Sequence, residues 1–174
     1  MKKLFPYYHK ICKKLGLQDY IYKKNVAPIN HIIDNVYLGD FRCADDLDLL
    51  KKNNITHIVN CAFNLPNSFP NEITYKNLNL KDEKNQPLLS ALQEAYQFIK
   101  DNKDKNILVH CVYGKSRSAS VVLFYLINEK KYSFKEAKEF AQKIRSCVNP
   151  NEGFERELTK YYEDNIAKLK EQND

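Results

Sequence analysis

Ile107-Leu108-Val109-His110-Cys111-Val112-Tyr113-Gly114-Lys115-Ser116-Arg117-Ser118-Ala119-Ser120 runs directly into Val121-Val122-Leu123-Phe124-Tyr125-Leu126-Ile127. A short apolar run is followed by a polar turn holding one glycine, then by an apolar segment long enough for a helix. The first run suits a buried parallel strand and the last a core helix. A loop from strand end to helix start turns successive backbone N–H groups inward and adds the positive end of the helix dipole. Together these make a bowl for a tetrahedral dianion. Cys111 lies at the bottom of the bowl, where such a field favours a sulfur anion. Arg117, in the first turn of the helix, can fork two N–H donors around phosphate oxygens. The pattern is a nucleophile inside an anion hole.

His110-Cys111-x-x-Gly114-x-Ser116-Arg117-Ser118 resembles the signature of the cysteine-dependent protein tyrosine phosphatases, in the form used by small dual-specificity phosphatases. A bare Cys-x5-Arg usually marks a structural cysteine beside a glycine turn. Here His, Cys, Gly, Arg and Ser each fall in place within a strand–loop–helix context. Val36-Tyr37-Leu38-Gly39 is similar to the start of the same fold, and the resemblance runs over roughly residues 29–162. It implies one α/β domain with a central, mostly parallel mixed sheet of about five strands flanked by helices. It also implies hydrolysis of phosphotyrosine and phosphoserine or phosphothreonine monoesters through a cysteinyl-phosphate intermediate.

At 174 residues and 43% hydrophobic content the chain suits one domain with a sizeable core, not a disordered segment. Five cysteines, an odd number with no close Cys-x-x-Cys pair, argue against a disulfide framework or a zinc site. A reducing, intracellular and cytoplasmic setting with nuclear access is expected, with no apolar run long enough to span a membrane. Neither a metal nor a cofactor is implied. The net charge of +6 reads either as attraction to phosphorylated, acidic partners or as a lysine-rich solvated surface. No basic cluster is interleaved with aromatics in a nucleic-acid motif, so nucleic acid is not an expected partner. Arginine is scarce, at Arg42, Arg117, Arg145 and Arg156. In a chain that defaults to lysine, an arginine hints that a planar fork is needed.

The chain divides into an extension (1–28), a catalytic domain (29–165) and a charged tail (166–174). Phe5 to about Leu15 has the spacing of an amphipathic helix, with Pro6 in its first turn and Gly16 past its end. That helix could pack on its own domain, serve as a homodimer or docking arm, or lie on a membrane surface. Residues 31–40 read as strand, turn at Asp34-Asn35, strand; residues 44–52 read as one short helix. Residues 55–62 suit a buried strand, 65–71 a loop with two prolines, and 73–80 a strand nearer the sheet edge. A polar loop over 81–87 precedes a helix over 88–99. After the signature come a helix over 133–144, opened by the capping box Ser133-x-x-Glu136, and a final helix beyond Phe154.

The resemblance assigns roles. Cys111 attacks phosphorus, and Arg117 holds the phosphoryl group together with the main chain of Val112, Tyr113, Gly114, Lys115 and Ser116. A thiolate nucleophile has no proton to give, so the leaving oxygen needs a separate acid. Asp82 matches that acid, with Glu83 the neighbouring alternative and a merely solvated loop charge the bland one. Ser118 matches the serine that hydrogen-bonds the departing thiolate, or else simply caps the helix start. His110 matches a histidine whose ring orders the loop by hydrogen bonds and points away from the bowl. Arg145 and Asn151 match a downstream stretch that buttresses the loop. Cys61, ending a strand beside the signature strand, reads as a buried core cysteine or as a reversible disulfide partner for Cys111. The expected partners are phosphorylated proteins. Lys115 in the bowl raises phosphoinositides or an RNA 5′-phosphate as rival substrates, and a non-catalytic phospho-reader is the alternative from another class.

Overall fold

A computed structural model describes residues 27–167. The expected amphipathic helix at the N-terminus, the dimer arm it suggests and the end of the charged tail lie outside those residues. Five strands form one sheet: β1 (Ile29–Ile33), β2 (Val36–Gly39), β3 (Ile55–Ala62), β4 (Thr74–Leu80) and β5 (Asn106–His110). Their spatial order is β1-β2-β5-β3-β4. Only the β1–β2 hairpin is antiparallel; β2, β5, β3 and β4 run parallel. The turn falls at Asp34-Asn35 as read from sequence, with Asp34 at φ 48°, a left-handed position that Asp tolerates better than most residues.

Helices cover both faces, as a parallel sheet requires. On one face lie α1 (Phe41–Ala44) and α2 (Leu47–Lys52). The sequence suggests one helix over 44–52; two form because Asp40 and Asp46 each cap a separate start. Asp40 accepts the Arg42 N–H (2.9 Å) and Asp46 the Leu49 N–H (3.0 Å). Cys43, Leu50, Ile58 and Leu108 fill the core on this side. The other face carries α3 (Leu89–Asp101), α4 (Arg117–Lys130), α5 (Phe134–Ile144) and α6 (Glu152–Tyr162), followed by a π-helical turn over Glu163–Ala167. The capping box of α5 is present, with Ser133 and Glu136 reciprocally bonded.

Helix α4 is the central member. Every residue from Arg117 to Ile127 is buried, which matches its lack of a polar face in the sequence. Strand period sorts the neighbouring side chains. Ile107, Val109 and Cys111 fall on the α4 side, and Leu108 on the α1–α2 side. Val59 and Cys61 of the adjacent strand also lie on the α4 side. The carboxyl end of the central strand β5 therefore delivers Cys111 directly beneath the start of α4. That is where ligands bind in open parallel sheets.

Candidate active site

The loop from Cys111 to Ser116 can be read peptide by peptide. Val112 O accepts from Phe41 N (3.3 Å), Lys115 O from Asn149 N (2.8 Å) and Ser116 O from Ser120 N (2.8 Å). Tyr113 O and Gly114 O accept from Arg145, at 3.3 and 3.0 Å. Five consecutive carbonyls thus turn outward into protein. In a trans peptide the C=O of one residue and the N–H of the next point opposite ways. The N–H groups of Tyr113, Gly114, Lys115, Ser116 and Arg117 therefore line the concave side. Gly114 sits at φ 63°, and a Cβ there would lie 2.5 Å from Gly39 O. Both its backbone angle and the close approach of β2 require glycine.

Beneath the loop is a buried charge cluster. Arg145, fully buried, donates from Nε to Gly114 and from Nη1 to Ala27 O (2.6 Å) and Asn30 Oδ1 (2.9 Å). Its Nη2 stands 3.5 Å from Asp40 Oδ2, and Arg42 grips the same carboxylate at 2.6 Å. A lysine could not reach these acceptors in one plane, which explains an arginine in a lysine-rich chain. Arg145 thus holds two carbonyls of the loop; the part of Asp40 and Arg42 has no local signal in the sequence.

At the foot of the bowl, the Ser118 hydroxyl donates to Cys111 Sγ at 3.1 Å. Arg117 is buried, donates from Nη1 to Leu80 O (3.3 Å), and sets Nε 3.6 Å from Asp82 Oδ2. Asp82 is thus brought to the rim from 29 residues upstream of Cys111, with about a third of its side chain exposed (34%). Its Oδ1 accepts from Ser116 Oγ (2.6 Å) and from Asn151 Nδ2 (2.9 Å). Glu83, the neighbouring alternative, is exposed on the same loop. Asn151 meets Asp82 as well as the bowl, a contact that sequence reasoning misses.

The strand position of His110 turns it to the face opposite Cys111, and its Nδ1 has no hydrogen-bond partner. Burial above all, and the Arg117 charge, push the ring down to about 4 against a smaller pull from the Cys111 main chain. Burial keeps the imidazole neutral against the Cys111 main chain, and Arg145 adds two hydrogen bonds to the carbonyls of the same loop.

Cys61 follows Asn60, which pairs with His110 across β3 and β5, so Cys61 stands beside Cys111 in register. Burial first, then the Cys111 charge, raise its thiol well above the ordinary range, with Arg117 opposing. Asn60 itself is buried and fully used. It donates to Leu65 O (2.9 Å) and Asn67 Oδ1 (3.0 Å) and accepts from Ala62 N (3.1 Å), which fixes the proline loop next to the site. At the mouth, Phe63 is exposed and carries Lys81 over its ring at 5.5 Å. Lys115 is exposed on the bowl itself.

The family description "Dual specificity phosphatase, catalytic domain" matches residues 36–164. The chain belongs to the dual-specificity phosphatase catalytic-domain family. Protein phosphatase Slingshot homolog 3 of Mus musculus is 37% identical over 134 residues, 76% of this chain and 21% of that one. Dual specificity protein phosphatase 19 of Mus musculus is 36% identical over 126 residues, 71% of this chain and 57% of that one. The chain therefore spans about a fifth to just over half of these curated relatives. The crystal structure of DUSP15 superposes with a TM-score of 0.76 at 30% identity, covering 83% of this chain and 93% of that one. Among the described residues, no helix of this dual-specificity phosphatase domain is long and apolar enough to cross a membrane.

Replacing Arg145 with leucine leaves Asp40 short of a buried partner and frees two loop carbonyls. It is expected to cost about 3–5 kcal/mol of unfolding free energy, read as a lower urea midpoint at unchanged slope. A midpoint equal to the wild type contradicts the anchoring role.

Proposed function

We propose that this chain is a dual-specificity phosphoprotein phosphatase that hydrolyses phosphotyrosine and phosphoserine or phosphothreonine monoesters through a cysteinyl-phosphate. The observation that carries the proposal is the loop of five outward carbonyls over Cys111. It presents five inward N–H groups to a phosphoryl dianion at the amino end of a buried helix.

In the proposed first step, Cys111 sulfur bonds to phosphorus as the phosphorus–oxygen bond to the leaving group breaks. The electron pair goes to the leaving oxygen, which takes its proton from Asp82. Arg117, already at the edge of the bowl, turns its fork on the phosphoryl oxygens, where charge spreads in the transition state. In the second step the Asp82 carboxylate takes a proton from water as that water attacks phosphorus. The sulfur leaves as thiolate onto the Ser118 hydroxyl.

Phosphorylated proteins are the proposed partners, in a reducing intracellular setting that suits a reactive thiolate. A phosphoinositide or RNA 5′-phosphate reading leans on Lys115, a single exposed cation. A non-catalytic reader has no use for Cys111, Asp82 and Ser118 set around one bowl. Residues 29–165 are proposed as the catalytic unit, with the homodimer arm in 1–28 the proposed use of the extension.

Asp82→Asn is expected to lower kcat/KM on poor leaving groups by about 10²–10⁴-fold, and on good ones far less. Cys111→Ser abolishes turnover of both. A phosphotyrosine peptide, a phosphothreonine peptide and a phosphoinositide, assayed side by side, should rank the peptides above the lipid. Equal losses on good and poor leaving groups in Asp82→Asn, or a lipid preferred over both peptides, contradict the proposal.

Cys61 is proposed as a protective redox partner. Peroxide takes the Cys111 thiolate to a sulfenic acid, and Cys61 condenses with it to a disulfide, releasing water. Mass spectrometry after mild peroxide is expected to find a Cys61–Cys111 linkage. Overoxidised Cys111 with Cys61 still reduced ends the idea.

A further inference from the structure

The loop between β4 and α3 rests on the first two turns of α6. Asn151 Nδ2 donates to Asp82 Oδ1 at 2.9 Å. Leu88 N donates to Glu157 Oε2 at 3.1 Å. A Cβ on Gly153 would fall 1.9 Å from Lys84 O, so the loop backbone sits directly on the helix where that glycine lacks a side chain. Lys84 and Glu152 also pair at 2.6 Å, but both are largely exposed and such a pair contributes little. The backbone contact and the Asn151 amide do the holding.

The hydrogen bonds have one consistent polarity. Asn151 Oδ1 accepts from Gly153 N (3.0 Å) and Phe154 N (3.1 Å), capping α6. Its NH2 is therefore the end that faces Asp82. Asn151 N donates to Ser116 Oγ at 3.1 Å, so the Ser116 hydrogen is available to Asp82 Oδ1 at 2.6 Å. Ser116 stands at the N-cap of α4 yet makes no side-chain cap bond there. Its hydroxyl is spent on Asp82 instead. Oδ1 thus takes two donated hydrogens from behind, while Oδ2 is the oxygen on the Arg117 side, at 3.6 Å.

We infer that Asn151, seated on α6 with Ser116 beside it, is a positioning residue that fixes Asp82 by Oδ1 and leaves Oδ2 as the oxygen exchanging the transferred proton. The inference rests on the reading of Asp82 as the acid. As the phosphorus–oxygen bond breaks, the Oδ2 proton passes to the leaving oxygen, and Asp82 is left a carboxylate stabilised by its two donors. Water returns a proton to Oδ2 in the second step. A cap alone would use only the Asn151 oxygen; the NH2 adds nothing to the helix.

That difference makes the inference testable, because Asp is as good an N-cap as Asn. Asn151→Asp keeps the cap and replaces the donor to Asp82 by an anionic oxygen. Gly153→Ala improves helix propensity while pushing the Lys84 backbone off its seat. The full chain is assayed on aryl phosphates of good and poor leaving ability, with orthovanadate inhibition as a reading of the bowl alone. Asn151→Asp is expected to lower kcat/KM on the poor leaving group by about 10-fold or more. The fall on the good one is smaller, and orthovanadate inhibition is retained. Gly153→Ala gives the same selective fall, together with a lower unfolding midpoint from the displaced backbone contact. In an Asp82→Asn background Asn151→Asp adds nothing. Equal falls on both leaving groups, no fall, or a fall that persists without Asp82 overturns the inference while the acid reading stands. If Asp82→Asn itself lacks leaving-group dependence, the acid reading falls and takes this inference with it.

Discussion

Five carbonyls held outward set the geometry of this site. A peptide unit cannot turn its C=O one way without turning the following N–H the other, so anchoring the backs of residues 112 to 116 shapes the front. Ser120 anchors the last carbonyl from the first turn of α4, and the other anchors come from distant parts of the chain: Phe41, Asn149 and above all Arg145. Arg145 is itself held in place by Asp40, whose carboxylate also caps α1 and pairs with Arg42. Such a buried cluster is costly to desolvate and is weak evidence for stability. Its value here is orientation, because the planar guanidinium spans Tyr113, Gly114, Ala27 and Asn30 at once.

The fold brings two independent supports to opposite sides of the bowl. On one side β5 and α4 hold Cys111, Ser118 and Arg117 within a single strand–loop–helix unit. On the other, α6 receives the loop that carries Asp82. Cys111 and Asp82 thus belong to different parts of the sequence and are brought together by direct contacts from Ser116 and Arg117 and by the seat that α6 gives the Asp82 loop. Asn151 is the joint: one side chain caps a helix, and together with its backbone N–H touches both the bowl and Asp82. Preorganisation of this kind places donors before reaction instead of recruiting them during it.

Much of this is legible in the chain itself. The apolar run, glycine and polar turn at 107–120 announce a strand–loop–helix anion site; β2, β3 and β5 are visible as short apolar segments and β4 as the more polar stretch of a strand near the sheet edge. Cys111, Ser118, Arg117 and Asp82 follow from motif and resemblance, and the structure brings them together. What escapes is long range or depends on packing. The split of 41–52 into two helices turns on which aspartate caps which N–H, a competition among neighbouring Asp residues that spacing cannot rank. The Asn151–Asp82 contact spans 69 residues, and no local pattern encodes it. The depression of the His110 ring by burial is likewise invisible in the spacing.

A sulfur atom beneath inward amides matters chemically only if phosphorus is transferred to it. Rapid-quench mass spectrometry of the full chain turning over an aryl phosphate tests that directly. The expected result is one phosphoryl group per chain, mapped to Cys111, appearing before free phosphate accumulates and absent from Cys111→Ser. Sustained release of phosphate with no phosphoryl group on Cys111, or undiminished release by Cys111→Ser, contradicts it.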